Sequence, residues 1–280
     1  MKKIGFVDYY LSEWHANNYP AWIKAANETL GTDYEVAYAW AELDVSPKDG
    51  VTTAQWCEKF GATACATIEE LCEKSDVILV LSPSDPDKHL PYAKAVLPFG
   101  KATYIDKTFT PNAAEAREIF AIAKKHGTPF FSTSALRYAT ELDALAGSKQ
   151  LAVTGGGGSA NEYLVHQAEM VVKVLGVGAQ KARALQMGLI SVFEIAYADG
   201  RSATMTYCSG EPFTVMGADD GKPVWKQVKS DFFAALLCDI VRFYETGKTS
   251  FDVAETLEVM AMREAALTAL DTPGEWVTLP

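Results

Sequence analysis

Cysteine is scarce and carries no pattern. The five residues Cys57, Cys65, Cys72, Cys208 and Cys238 are odd in number and form no C-x-x-C pair. That excludes a disulfide framework or a structural zinc as the organising device and predicts reduced, buried thiols. Long hydrophobic runs are missing too. Nothing approaches the ~18 apolar residues of a membrane span, and the apolar stretch behind Met1-Lys2-Lys3 meets Asp8 almost at once. Neither a span nor a signal peptide is legible, and the cytoplasm is the expected compartment. Basic charge is in deficit, with 25 Lys and Arg against 36 Asp and Glu, a net charge of -11. Nucleic acid and anionic membranes both require a basic footprint, so neither is an expected partner. A small anion at a helix N-terminus stays possible.

What is present is a core-forming chain. At ~150 residues per domain, 280 residues with 49% hydrophobic content suit two domains. Up to residue 131, β-like runs alternate with helical stretches: Lys3–Val7, Tyr34–Ala41, Ala62–Ala66, Asp76–Leu81, Thr103–Ile105 and Pro129–Phe131. Pro20 suits the start of the first helix and Gly31 its end. Thr67-Ile68-Glu69-Glu70 reads as a capping box, and Lys124-Lys125-His126 sits where a helix dipole favours cations. The alternation predicts an α/β, Rossmann-like, doubly wound parallel sheet over 1–131. After Ser134 the texture changes. Gly155–Gly158 reads as a flexible loop, Tyr163–Leu175 as a helix, and Ser191–Ala198 with Ser202–Tyr207 as a hairpin turning at Asp199-Gly200. Phe232–Tyr244 and Val253–Leu270 read as helices. Residues 132–280 are therefore expected to form a second, smaller α+β domain for substrate and oligomer contacts.

Several residues have the chemistry for a site. Lys107 follows a strand at its C-terminal end, where ligands bind in open α/β sheets, and a lysine there can take a proton from a hydroxyl. Glu162, His166 and Glu169 share one helix face by spacing. Two carboxylates and an imidazole can ligate a divalent cation, but the zincin spacing is absent and no metal is expected. Asp8 to Trp22 is dense in aromatic and polar groups, which suits sugar rings or simple packing. Arg137 can grip a carboxylate or phosphate, or serve a salt bridge. His89 and His126 read as structural.

The order Ser82-Pro83, His89, Gly100-Lys101, Asp106-Lys107-Thr108, Arg137-Tyr138 and Glu162-x-x-x-His166 resembles the Gfo/Idh/MocA family of NAD(P)-dependent sugar and polyol dehydrogenases. Asp106-Lys107-Thr108 is similar to that family's Glu-Lys-Pro signature, and Glu162 with His166 to its Asp-x-x-x-His pair. The resemblance implies a Rossmann-like fold, NAD or NADP as cofactor, and oxidoreduction of a sugar- or polyol-like hydroxyl. It makes Lys107, His166 and Glu162 catalytic, with Glu162 holding the tautomer of His166. Cofactor contacts would come from Tyr9, Ser12, Glu42, Ser82, Pro83 and Asp106, with Glu42 or Asp44 as the ribose acid. Lys107 and His166 would converge on the substrate. A homodimer or larger assembly is implied, since relatives cover the second sheet with another subunit.

One feature departs from the family. Its G-x-G-x-x-G turn is absent; aligned back from His15, the three positions are Val7, Tyr9 and Ser12. A tyrosine ring and the Asp8 charge then stand where pyrophosphate belongs. This keeps two alternatives open: a cofactor-independent lyase, epimerase or hydrolase using Lys107, His166 and Glu162, or a non-catalytic carbohydrate-binding protein. The short interval from Arg137 to Glu162 also predicts a much reduced second domain.

Overall fold

A computed structural model describes residues 1–219 and 221–280, which divide into two units. The first unit is Met1–Ser132 with Phe233–Val253, and the second is Thr133–Phe232 with Ala254–Pro280. The boundary expected after residue 131 matches only one passage of the chain, because Phe233–Val253 returns to the first unit. Tyr244 anchors that return, donating its hydroxyl to the Ile78 carbonyl at 2.8 Å.

In the first unit six parallel strands lie in the order β3-β2-β1-β4-β5-β6. They are β1 Lys2–Asp8, β2 Tyr34–Ala41, β3 Thr63–Ala64, β4 Val77–Val80, β5 Thr103–Ile105 and β6 Phe130–Phe131. β4 and β5 are buried throughout, as strands covered on both faces must be. The helices between them are α1 Trp14–Leu30, α2 Thr53–Phe60, α3 Ile68–Lys74, α4 His89–Val96 and α5 Ala113–His126. The doubly wound α/β expectation holds. The strand order reverses between β1 and β4, and that switch point is where such sheets bind ligands.

Local chemistry explains most boundaries, with one correction. α1 starts at Trp14, not at Pro20, because the Glu13 side chain caps it; Pro20 lies inside the helix. Thr67 caps α3 through the Glu70 amide, while the Glu70 carboxylate reaches back to the Ala66 amide. The reciprocal capping box is instead at Thr52 and Gln55 of α2.

The second unit holds a seven-stranded mixed sheet, β12-β11-β7-β10-β9-β8-β13. Its strands are β7 Gln150–Thr154, β8 Ala179–Met187, β9 Ile190–Tyr197, β10 Ser202–Tyr207, β11 Thr214–Asp219, β12 Lys222–Gln227 and β13 Val277–Thr278. β9 and β10 form the expected hairpin, with Ser202 opposite Ala196 and Tyr207 opposite Ser191. The expected reduction of this domain does not occur. β7 fits within the short Arg137–Glu162 interval, and the remaining strands come later in the chain. α6 Ala160–Leu175 and α8 Glu255–Thr268 accompany the sheet, while α7 Phe232–Thr246 leads back to the first unit.

The Gly155–Gly158 loop is not slack. A Cβ at Gly155 would overlap the Phe213 ring, and one at Gly157 the Tyr163 ring. The Gly157 carbonyl accepts from the Tyr207 and Ser209 hydroxyls, each at 2.9 Å. Glycine is needed here for close approach, which composition alone reads as flexibility.

Candidate functional site

At the C-terminal edge of the first unit's sheet, β1 delivers Asp8, β4 leads into Ser82-Pro83, and β5 delivers Asp106-Lys107. Val7, expected in the first turn, lies inside β1 opposite Trp40 and Val80 and is fully buried. The strand therefore runs one residue further than the alignment from His15 implied, and the turn comprises Tyr9 to Glu13. Two carboxylates occupy it. Asp8 Oδ1 accepts from the amides of Tyr9 at 2.7 Å and Ser82 at 3.0 Å. Glu13 accepts from the first amides of α1, those of His15 at 2.8 Å and Ala16. These are the donors a helix N-terminus would otherwise offer to phosphate.

Around them lies a buried polar cluster. Asp106 Oδ1 accepts from the hydroxyls of Tyr104 at 3.1 Å and Tyr19 at 3.4 Å. The His15 ring stands between two acids, with Nδ1 3.5 Å from Glu13 Oε2 and Nε2 3.7 Å from Asp106 Oδ2. Asp8 Oδ2, Asp106 Oδ2 and His15 Nδ1 have no hydrogen-bond partner among the described residues. Burial raises the Asp8 carboxyl well above the usual carboxylate range, and the Glu13 charge adds to it. Burial likewise raises the Tyr19 phenol, with Asp106 and Glu13 reinforcing it.

Lys107 is 8% exposed and donates from Nζ to the Pro83 carbonyl at 3.2 Å. Its peptide bond to Thr108 is cis. Ser82 has φ of 64°, a left-handed conformation that a non-glycine residue adopts at a cost. Its amide is spent on Asp8 and its hydroxyl on the Asp85 carbonyl at 3.2 Å. His89, structural as expected, places Nδ1 2.9 Å from the Phe109 carbonyl and Nε2 against that of Leu81, fastening the Lys107 loop to the end of β4.

The remaining expected cofactor contacts are committed within the chain. The Glu42 carboxylate pairs with Lys88 at 2.6 Å and accepts from the Tyr92 hydroxyl at 2.8 Å; the lysine bond holds its carboxyl below the usual range. Lys88 also lies over the Tyr9 ring, 4.5 Å from its centre. The Ser12 hydroxyl donates to Asp49 at 2.7 Å. The space bounded by Asp8, Tyr10, Glu13, Lys48 and Ser82 to Asp85 is about 10 Å³, roughly what one water needs. Of the aromatic segment, Tyr19 is fully buried, whereas Trp14 is 51% exposed and packs edge-on to Trp22 and Phe233.

In the second unit, His166 is half-buried on α6, with Nδ1 2.6 Å from the Ser134 hydroxyl. Its ring meets Tyr163 and Phe213 edge-on. Glu162 sits in the first turn of α6, where its amide donates to the capping hydroxyl of Ser159. Glu169 is buried and bound by Arg137 at 2.5 Å and by the Ser134 amide at 3.1 Å; Arg137 also pairs with Glu255 at 2.8 Å. Arg137 thus serves a buried ion-pair network. No group of three or more His, Cys, Asp or Glu among the described residues is placed to hold a metal ion. Lys107 belongs to the first unit, and His166 and Glu162 to the second.

Residues 42–134 match the Gfo/Idh/MocA family model, described as an oxidoreductase family with an NAD-binding Rossmann fold. Over this segment the chain is similar to the Gfo/Idh/MocA family. It is 41% identical over 66 residues to the uncharacterized oxidoreductase YhhX of Escherichia coli strain K12, a match covering 22% of this chain and 19% of that relative. The fold is similar over the whole chain to GenD2 of gentamicin A biosynthesis, solved in complex with NAD (TM-score 0.79, 14% identity, 100% of this chain and 97% of that one). It is also similar to a myo-inositol dehydrogenase from Corynebacterium glutamicum (TM-score 0.78, 12% identity, 100% and 99%). At such identity these likenesses establish the fold.

The family match raises the question of a dinucleotide, and the first turn does not fit one in the usual seat. The amides that would meet a pyrophosphate are bonded to Asp8 and Glu13. Unit charges of like sign about 4 Å apart repel by about 4 kcal/mol near a protein surface, which is the repulsion a Glu13 carboxylate offers a phosphate. The site can instead hold and move protons, with Lys107, Asp8, Asp106 and His15 at one sheet edge.

Proposed function

We propose that this chain is an enzyme of the Gfo/Idh/MocA type that moves a proton at a hydroxyl-bearing carbon of a sugar- or polyol-like small molecule, without a dinucleotide seated on α1. Lys107 is the proton carrier. The observation that carries the reading is the filled first turn: the acid–base groups are present, while the pyrophosphate donors are taken by the chain's own carboxylates. The chemistry left open to such a set is isomerisation or elimination, in which Lys107 removes a proton and an acid returns one. His166 is proposed as a hydrogen-bond donor to a substrate oxygen.

A second reading is favoured by the family description over residues 42–134. In it Lys107 would take the hydroxyl proton, and a nicotinamide held in some other way than at α1 would supply the redox chemistry. Incubation of nucleotide-free protein with a panel of aldoses, ketoses and inositols in D2O separates the two. The first reading expects deuterium to enter the substrate carbon skeleton, seen by NMR, and to stop entering in Lys107→Met. No exchange, together with turnover that strictly follows added NAD or NADP, would sink the first reading and establish the second.

A further inference from the structure

We propose that Ser134 sets the tautomer of His166, so that the neutral imidazole carries its proton on Nε2 and acts through that atom as a hydrogen-bond donor. The functional weight of the inference rests on the role given to His166 above; the tautomer itself does not. The expectation from sequence was that Glu162, one turn earlier on α6, holds this ring. The structure assigns Nδ1 to Ser134, 32 positions away and fully buried, at 2.6 Å.

The assignment follows from counting donors and acceptors. A serine hydroxyl has one proton to give and two lone pairs. One lone pair accepts the Leu136 amide at 3.2 Å. If the other accepted from His166 Nδ1–H, the hydroxyl proton would need a separate acceptor, and among the described residues Ser134 has none besides Nδ1. A buried donor left unmade is the costlier arrangement. Ser134 therefore donates, Nδ1 accepts, and the ring proton resides on Nε2.

Ser134 is itself held firmly enough to impose this. Its amide donates to Glu169 Oε2 at 3.1 Å, and Glu169 Oε1 is bound by Arg137, which Glu255 holds from its other side. The chain Glu255–Arg137–Glu169–Ser134–His166 links α8, the turn after β6 and α6. Ser134 is in this sense a positioning residue. It turns His166 from a candidate base into a donor suited to a carbonyl or hydroxyl oxygen of the substrate.

The test is long-range 1H–15N correlation of the four histidine rings in the full-length chain, with His166→Gln assigning the signals. The expected result is an unprotonated Nδ1 and a protonated Nε2 for His166 at the pH where the ring is neutral. Ser134→Ala should shift the Nδ1 resonance and mix the tautomers, while Ser134→Thr should preserve the wild-type pattern. A wild-type ring protonated on Nδ1 overturns the proposal, as does a pattern indifferent to Ser134→Ala. So does a ring that stays doubly protonated across the stable pH range, because Nδ1–H would then donate to Ser134. If Ser134→Ala does not fold, the wild-type tautomer still decides. No substrate is needed, so failure of the proposed reaction and failure of this inference are separate results.

Discussion

Asp8 shows what the first turn has given up. Asp8 is 1% exposed, one carboxyl oxygen lacks a hydrogen-bond partner among the described residues, and Glu13 and Asp106 are near enough to oppose its charge. Burial raises its folded-state pKa, so the folded chain binds this proton more tightly than the unfolded chain does. For a raised acid, the stability tied to the proton is present at low pH and is lost as pH rises from about 4, the unfolded value, through the folded one. Asp8→Asn keeps the acceptor for the Tyr9 and Ser82 amides and removes the charge. It should raise the unfolding free energy at pH 7 by roughly 1–3 kcal/mol, with the gain closing as pH falls below about 4. Urea titrations of both proteins at pH 4 and pH 7 measure this. A less stable Asp8→Asn at pH 7 would show that the charge is used within the fold.

The turn from β7 into α6 brings the same contest between composition and packing to a whole segment. Four consecutive glycines suggest mobility, yet Gly155 and Gly157 lie under the Phe213 and Tyr163 rings that flank His166. Gly157→Ala must push the Tyr163 ring aside and should cost about 1–3 kcal/mol, the usual range for overpacking. A midpoint in urea equal to wild type would show the loop to be as slack as its composition. The first unit was legible in sequence because its signals are local: apolar runs such as Val77–Val80, and capping residues such as Thr67 beside the helix it starts; the cap of α5 is Asn112, two residues past the expected Thr110. In the second unit β7, β8, β11, β12 and β13 carry no such signal. Runs such as Lys222–Gln227 are largely exposed and show no apolar face, so their pairing partners define them. The site divides in the same way. Lys107 and Asp106 could be placed from the strand end they follow. The role of Glu13 depends on how far β1 extends, and that of Ser134 on a helix 32 residues away. Only acidity at a helix start hinted at the first, and nothing local signalled the second.

For the whole molecule, the parallel sheet runs in the order β3-β2-β1-β4-β5-β6, and Asp8 and Glu13 stand beside its switch point between β1 and β4. The second unit's sheet and its edges leave Leu185, Met187, Ile190, Met216 and Trp225 exposed. We propose that a second copy of the chain covers this surface, burying well over ~1,000 Å² in total. Sedimentation at micromolar concentration should give at least twice the mass of 30.4 kDa, and a monomer would contradict the proposal. Asp8 and Glu13 take the amides that a dinucleotide's pyrophosphate would need. Calorimetric titration of the wild-type chain with NADH and with NADPH tests it most directly. No saturable binding tighter than ~1 mM is expected, which corresponds to about 4 kcal/mol. Binding of either nucleotide at low micromolar concentration would contradict it and return the chain to nicotinamide-dependent oxidoreduction.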